Sequence, residues 1–171
     1  MTTERANAFD FWGPRTLIGP ALSVGDRAPV FTLTGLKDEA IHNDKFAGKP
    51  LVISVIPSID TGVCSKQTRR FNEEAARLGD HVSILTVSAD LPFAQARWCG
   101  AEGINNVVMV SDYKDMNFGD AYGTHIKDLR WESRAVFVVD ANGTIRYAEY
   151  VPVGGQEPNY DAALSTLKTL L

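Results

Sequence analysis

From Leu51 to Ile56 the chain runs Leu-Val-Ile-Ser-Val-Ile, almost unbroken apolar and rich in β-branched side chains. A strand buried on both faces has this pattern, because neither face meets water. Pro57-Ser58-Ile59-Asp60-Thr61 breaks the run, and Val63, Gln67, Phe71 and Ala75 then recur at every fourth position until Leu78-Gly79. That spacing predicts a helix with one buried stripe, capped at its start by Asp60 or Thr61 and stopped by Gly79. A second β-rich run, Val82 to Val87, completes a βαβ unit. Asp90-Leu91-Pro92 opens a short helix carrying Trp98 and Cys99, and Val107 to Val110 forms a third strand.

The C-terminal third alternates differently. Ala135 to Val139 and Thr144 to Val151 predict a hairpin across Asn142-Gly143, a type I′ signal. An amphipathic helix from Tyr160 to Leu171 follows. At the other end, Phe9 to Ile18 around Trp12-Gly13-Pro14-Arg15 predicts two short strands across a Gly-Pro turn. A βαβ unit followed by ββα, with an extra helix and strand between the halves, has a thioredoxin-like order: an α/β fold whose central mixed sheet is flanked by helices and preceded by an N-terminal β-hairpin. No repeat or long linker interrupts residues 1–171, so a single domain is expected.

Composition narrows the function. Hydrophobic residues make up 44% and charged residues 22%, ordinary globular usage. The formal net charge of −4 and the lack of any Lys/Arg block beyond Arg69-Arg70 argue against nucleic-acid binding. No apolar run approaches the ~20 residues of a membrane span. The first twenty residues scatter Glu4, Arg5, Asp10 and Arg15 among Gly and Pro, without the ~7–15-residue apolar core of a signal peptide, so a cytoplasmic protein is expected. Gly48-Lys49 is not a phosphate loop, since Asn43 stands where Gly is required and Pro50 where Ser or Thr is. His42, His81 and His125 share no metal-ligand spacing, and no flavin, haem or nicotinamide fingerprint occurs. Neither a metal nor a resident cofactor is expected.

The chemistry lies with two cysteines. Cys64 and Cys99 are too few for a disulfide scaffold and too far apart for a C-x-x-C motif. In a reducing compartment such a pair is inert core or redox machinery. Cys64 falls in the first turn of the helix that leaves the buried strand, where unpaired N–H groups favour an anion. The order Pro57-x-x-x-Thr61-x-x-Cys64 sets a rigid backbone and a hydroxyl close to its sulfur.

Pro57-Ser58-Ile59-Asp60-Thr61-Gly62-Val63-Cys64 resembles the active-site segment of the peroxiredoxins, and specifically of the bacterial thiol peroxidases, an atypical two-cysteine group. Ala89 to Gly103, with Cys99, is similar to the segment bearing that group's resolving cysteine, and Arg134 to Asp140 to its active-site arginine strand. The resemblance implies that Cys64 is the peroxidatic thiolate and Cys99 the thiol that resolves its sulfenic acid as an intrachain disulfide. It implies that Thr61 hydrogen-bonds the peroxide, Pro57 shields the sulfur from water, and Arg134 stabilises both thiolate and departing oxygen. It further implies hydrogen peroxide and organic hydroperoxides as substrates, a thioredoxin-type dithiol as reductant, and a homodimer.

Magnitudes agree with a role for the arginine. Moving a thiol pKa from about 8.5 to about 6 takes ~3.4 kcal/mol. A helix N-terminus supplies roughly 0.3–1 kcal/mol, or ~2 in favourable burial. A nearby cation has to supply the rest. The reading from another class is a redox sensor or partner-binding module, in which Cys64 oxidises once and the disulfide alters a surface; repeated turnover in a peroxide-consumption assay separates the two.

Overall fold

In the computed structural model, which describes residues 2–171, the chain opens with an antiparallel pair, β1 (Glu4–Asp10) and β2 (Pro14–Ile18). The expected hairpin is present but starts at Glu4 rather than Phe9. Its register shifts between Arg5 and Phe9, where Asn7 adopts a left-handed φ of 55°, so the alternation that marks a strand in sequence is broken. A second short hairpin follows, β3 (Thr32–Thr34) and β4 (Ala40–His42). Next come β5 (Leu51–Val55), α1 (Gly62–Leu78), β6 (Ser83–Ser88), α2 (Pro92–Glu102) and β7 (Val108–Ser111). The remaining elements are α3 (Asn117–Tyr122), β8 (His125–Ile126), β9 (Trp131–Glu132), β10 (Ala135–Val139), β11 (Ile145–Tyr150) and α4 (Tyr160–Lys168).

Seven strands form the central sheet in the order β11-β10-β5-β6-β7-β3-β4. The β5-β6-β7 core is parallel, and the strands added outside it are antiparallel. All five residues of β5 are buried, as its continuous apolar run requires. Side chains alternate between two cores. Ile53, Leu85, Val110 and Phe137 pack on one face with Phe118 and Tyr122 of α3. Val52, Ile84, Val136 and Val138 pack on the other with Phe71 of α1 and Leu164 and Leu167 of α4. The mixed sheet with flanking helices is the thioredoxin-like architecture expected from the element order.

A second, antiparallel sheet of order β1-β2-β8-β9 is new. Strands β8 and β9 have two residues each, too short to carry a period, and α3 is a helix of six. The hairpin between β10 and β11 stands, but its turn is not type I′, which needs positive φ at both central residues. Only Gly143, at φ 85°, is left-handed there; Asn142 is not. The Asp140 carboxylate instead accepts from the N–H groups of Asn142 and Thr144, both at 3.0 Å, and so selects a three-residue loop closed by glycine, with a register shift after Val138. The last helix ends at Lys168, short of the expected Leu171. Among the described residues no helix is long and apolar enough to cross a membrane.

Candidate active site

Where β5 ends, the Ile56 N–H donates to Val87 O at 3.0 Å, so the chain leaves the sheet beside β6. The loop that follows is braced by one carboxylate: Asp90 accepts from the Ser58 hydroxyl at 2.8 Å, the Ile59 N–H at 2.9 Å and the Ser88 hydroxyl at 2.7 Å. Thr61, not Asp60, caps α1. Its backbone is extended and its Oγ1 accepts from the Cys64 N–H at 3.3 Å. Cys64 is thereby fixed in the first turn of the helix, fully buried.

Arg134, immediately before β10, comes to the sulfur from the sheet side. Its Nη2 donates to Cys64 Sγ at 3.3 Å and to Gly154 O at 2.8 Å, its Nε donates to Gly154 O at 3.3 Å, and its Nη1 donates to Gln67 Oε1 at 3.0 Å. Gln67 lies one turn along α1 from Cys64, and its own amide donates to Ser54 Oγ at 2.8 Å. Arg134 is 1% exposed, yet among the described residues no carboxylate forms an ion pair with it. A buried cation without a counter-charge costs several kcal/mol, on the order of what an ionised partner would recover. Cys64 Sγ is the ionisable atom placed to be that partner.

A cleft of about 370 Å³ lies against this corner. Pro57, Thr61 and Arg130 line it together with the aromatic rings of Phe11, Trp12 and Trp131. Of the residues singled out in the sequence, Pro57 and Thr61 line the cleft, while Cys64 and Arg134 do not line it but meet each other at 3.3 Å, with Thr61 joining the two through its cap on the Cys64 N–H. Cys99 does not line the cleft. It sits buried on α2 in an apolar cluster shared with Cys64, Ile56, Ile59, Ile104 and Met109, and that burial pushes its thiol pKa up. Both cysteines are free thiols. Arg130, which does line the cleft, spends its guanidinium on the carbonyls of Tyr113 and Lys114. Among the described residues no group of three or more His, Cys, Asp or Glu is placed to hold a metal.

Three participants escaped the sequence reading. Gln67 counted only as part of a helical stripe, although an amide in an otherwise apolar stripe is itself a signal of a buried partner. Asp90 read as a helix-start residue, and Gly154 gave no signal, because its contribution is a backbone carbonyl.

Residues 23–164 match the Redoxin family. A thiol peroxidase of Bacillus subtilis is 55% identical over 161 residues, covering 93% of this chain and 95% of the relative. The chain belongs to the Redoxin family, among its thiol peroxidases. A thiol peroxidase of Listeria innocua is 52% identical over 91% of this chain and 93% of its own. Among solved structures, a peroxiredoxin-like protein from Aquifex aeolicus superposes with a TM-score of 0.86 at 37% identity, covering 93% of this chain and 94% of that one. The protein is thus a thiol-dependent peroxidase of the peroxiredoxin type, an oxidoreductase.

In this peroxidase Gln67 holds the guanidinium in place without competing for its charge. Substituting Gln67→Leu removes the acceptor of Nη1 and frees Arg134 to swing, so peroxide reduction should fall by up to about 100-fold while the fold persists. Steady-state peroxide consumption together with a circular-dichroism melt checks this; an unchanged rate in a folded variant contradicts it.

Proposed function

We propose that the peroxidase reduces hydrogen peroxide and organic hydroperoxides through Cys64, with Cys99 as resolving thiol and a thioredoxin-type dithiol as electron donor. The observation that carries this reading is the 3.3 Å contact from the buried Arg134 guanidinium to Cys64 Sγ, beside the Thr61 cap. The Cys64 thiolate attacks the terminal peroxide oxygen. The O–O bond breaks, the departing oxygen takes a proton and leaves as water or an alcohol, and Cys64 becomes a sulfenic acid. Arg134 stabilises the negative charge as it moves from sulfur to oxygen. The Thr61 hydroxyl accepts from the Cys64 N–H, leaving its own proton for the substrate, since its donor contact to Ser58 O is long at 3.5 Å. Buried Pro57 keeps water from the sulfur. The aromatic wall of Phe11, Trp12 and Trp131 suits the alkyl part of an organic hydroperoxide.

Resolution needs motion. Cys99 attacks the sulfenic sulfur, water leaves and the disulfide forms; the external dithiol then returns two electrons by exchange. A disulfide needs Cα atoms roughly 4.4–6.8 Å apart. The first turn of α1 is inexpensive to open, because its N–H groups lack intrahelical partners. The cytoplasm, with its dithiol reductants, is the compartment in which this cycle can turn over.

Repeated turnover of peroxide with a thioredoxin system is the test of the reading, since a single stoichiometric oxidation would mean a redox switch instead. Cys64→Ser should abolish turnover and Arg134→Met should lower it by about 100-fold or more, with rapid-mixing kinetics as the measure; wild-type rates in either variant sink the mechanism. Oxidised protein should yield a Cys64-Cys99 peptide in non-reducing mass spectrometry and show exchange of the amides of residues 61–65. Protection there equal to the reduced state would contradict local unfolding. We also propose a homodimer, on the exposed apolar side chains Trp12 at 78% and Phe93 at 86%. Sedimentation velocity should give a dimer that weakens in Trp12→Lys, and a monomer at all concentrations would refute it.

A further inference from the structure

Two carboxyl groups lie out of water behind the arginine-bearing wall of the cleft. Glu132 of β9 is fully buried and Asp112, just past β7, is 2% exposed. Among the described residues no lysine or arginine pairs with either. Donor accounting is uneven. Asp112 accepts from the N–H groups of Gly119 at 2.8 Å and Phe118 at 3.2 Å, and from the Asn117 amide at 3.5 Å. Glu132 Oε2 accepts from the Thr124 hydroxyl, while Oε1 is buried with no donor at all. The two carboxyl groups meet at Gly119, whose N–H donates to Asp112 Oδ2 and at whose Cα a methyl group would lie 2.9 Å from Glu132 Oε1. Two ionised carboxylates side by side out of water, with no cation, repel and lack donors; a proton on Glu132 removes one charge and gives its donorless Oε1 a hydrogen to offer, whereas Asp112 already has the N–H groups that favour its charge. The remaining charged neighbours are Asp115, beside Asp112, and Asp120, whose carboxylate is held by His125 Nδ1 at 2.6 Å. Burial and the nearby Asp112 and Asp120 push the Glu132 pKa well above the usual carboxyl range.

The pair sits at a junction. Arg130 and Trp131 line the cleft and Arg134 reaches the sulfur, so Glu132 anchors the middle of that segment from behind. Strand β9 has only two residues of pairing to hold it, plus the Ser133 N–H on Thr124 O at 2.7 Å. The Asp112 N–H donates to Ser88 O at 2.9 Å, and the Ser88 hydroxyl donates to Asp90, which braces the loop before Cys64. We propose that Glu132 is a positioning residue, protonated at neutral pH and donating from Oε1 to Asp112, which pins the segment carrying Trp131 and Arg134 to the edge that braces the cysteine loop. This rests on the role proposed above for Arg134.

The sign of the pH effect follows. In the unfolded chain a glutamate ionises near about 4.3. The folded chain keeps its proton to higher pH, so across that window the unfolded state binds fewer protons. The dyad's stabilisation is therefore complete below the window and is lost as pH rises through the folded pKa, with Arg134 released as the second carboxylate forms.

Infrared spectroscopy of protein labelled with ¹³C at its glutamate carboxyls tests the proton directly. A protonated-carboxyl stretching band at neutral pH should shift with the label, persist in Cys64→Ser and vanish in Glu132→Gln. Absence of a label-sensitive band in the wild type overturns the proposal, whether or not any variant folds and whether or not the cysteine chemistry is right. The positioning role is read from pH profiles of peroxide reduction. The wild type should lose activity on the alkaline side as the band disappears; Glu132→Gln, which keeps a donor, should hold activity to within about threefold without that limb, and Glu132→Ala should lose about tenfold. An alkaline limb in Glu132→Gln identical to the wild type's overturns the positioning role.

Discussion

A guanidinium almost out of contact with water, facing no carboxylate, is the constraint around which this molecule is arranged. The polar partners given to Arg134 are the Gln67 amide oxygen, the Gly154 carbonyl and the Cys64 sulfur, and of these only the sulfur belongs to an ionisable side chain. Glutamate at position 67 would satisfy the cation outright and remove its need for a thiolate. Glutamine accepts the hydrogen bond and leaves the charge unspent. In the proposed cycle the same arrangement makes the oxidised site unstable in its closed form. Once a Cys64 thiolate had given up its charge there, the buried cation would have no anion left, and the closed turn would lose the interaction that favoured it.

Rigidity and looseness are distributed accordingly. The residues that must not move are tied to the sheet: Gln67 through Ser54 of β5, and the Ser58-Ile59 peptide through Asp90 at the end of β6. The residue that the proposed cycle requires to move, Cys64, sits on a helix start capped by one hydroxyl at 3.3 Å. Across the α1-α2 boundary, Arg69 pairs with Glu102 and the Asn106 N–H donates to Asn72 Oδ1 at 2.9 Å, so the two cysteine-bearing helices are tied together away from the first turn of α1.

The parts of the fold with long, unconflicted periodicity were legible in advance. Leu51–Val55, the α1 stripe and Ala135–Val139 stand within a residue or so of where their patterns placed them. What escaped lacks periodicity or lives in the backbone. Strands of two residues have no alternation, Asn7 interrupts the one in β1, and the Asn142-Gly143 pair was redirected by the carboxylate of Asp140, a side chain outside the turn motif. In the site, Pro57, Thr61, Cys64 and Arg134 were singled out by their resemblance to a family's segments, and the structure brings Thr61, Cys64 and Arg134 into contact. Gly154 was invisible because a carbonyl has no residue type. Glu132 was unmarked because its meaning depends on Asp112, twenty residues earlier in sequence and adjacent only after folding.

Gly154 carries one more consequence. A methyl group at its Cα would lie 2.2 Å from the ring of Phe11, while its N–H donates to Asp10 O at 2.9 Å and its carbonyl holds the guanidinium. The N-terminal hairpin and the arginine are therefore held by the two backbone groups of one residue. The aromatic rim of the cleft and the buried guanidinium cannot drift independently: a chain that re-sculpts its first twenty residues does so under tension from the cation, and the shape of the cleft and the setting of the charge must be altered in concert.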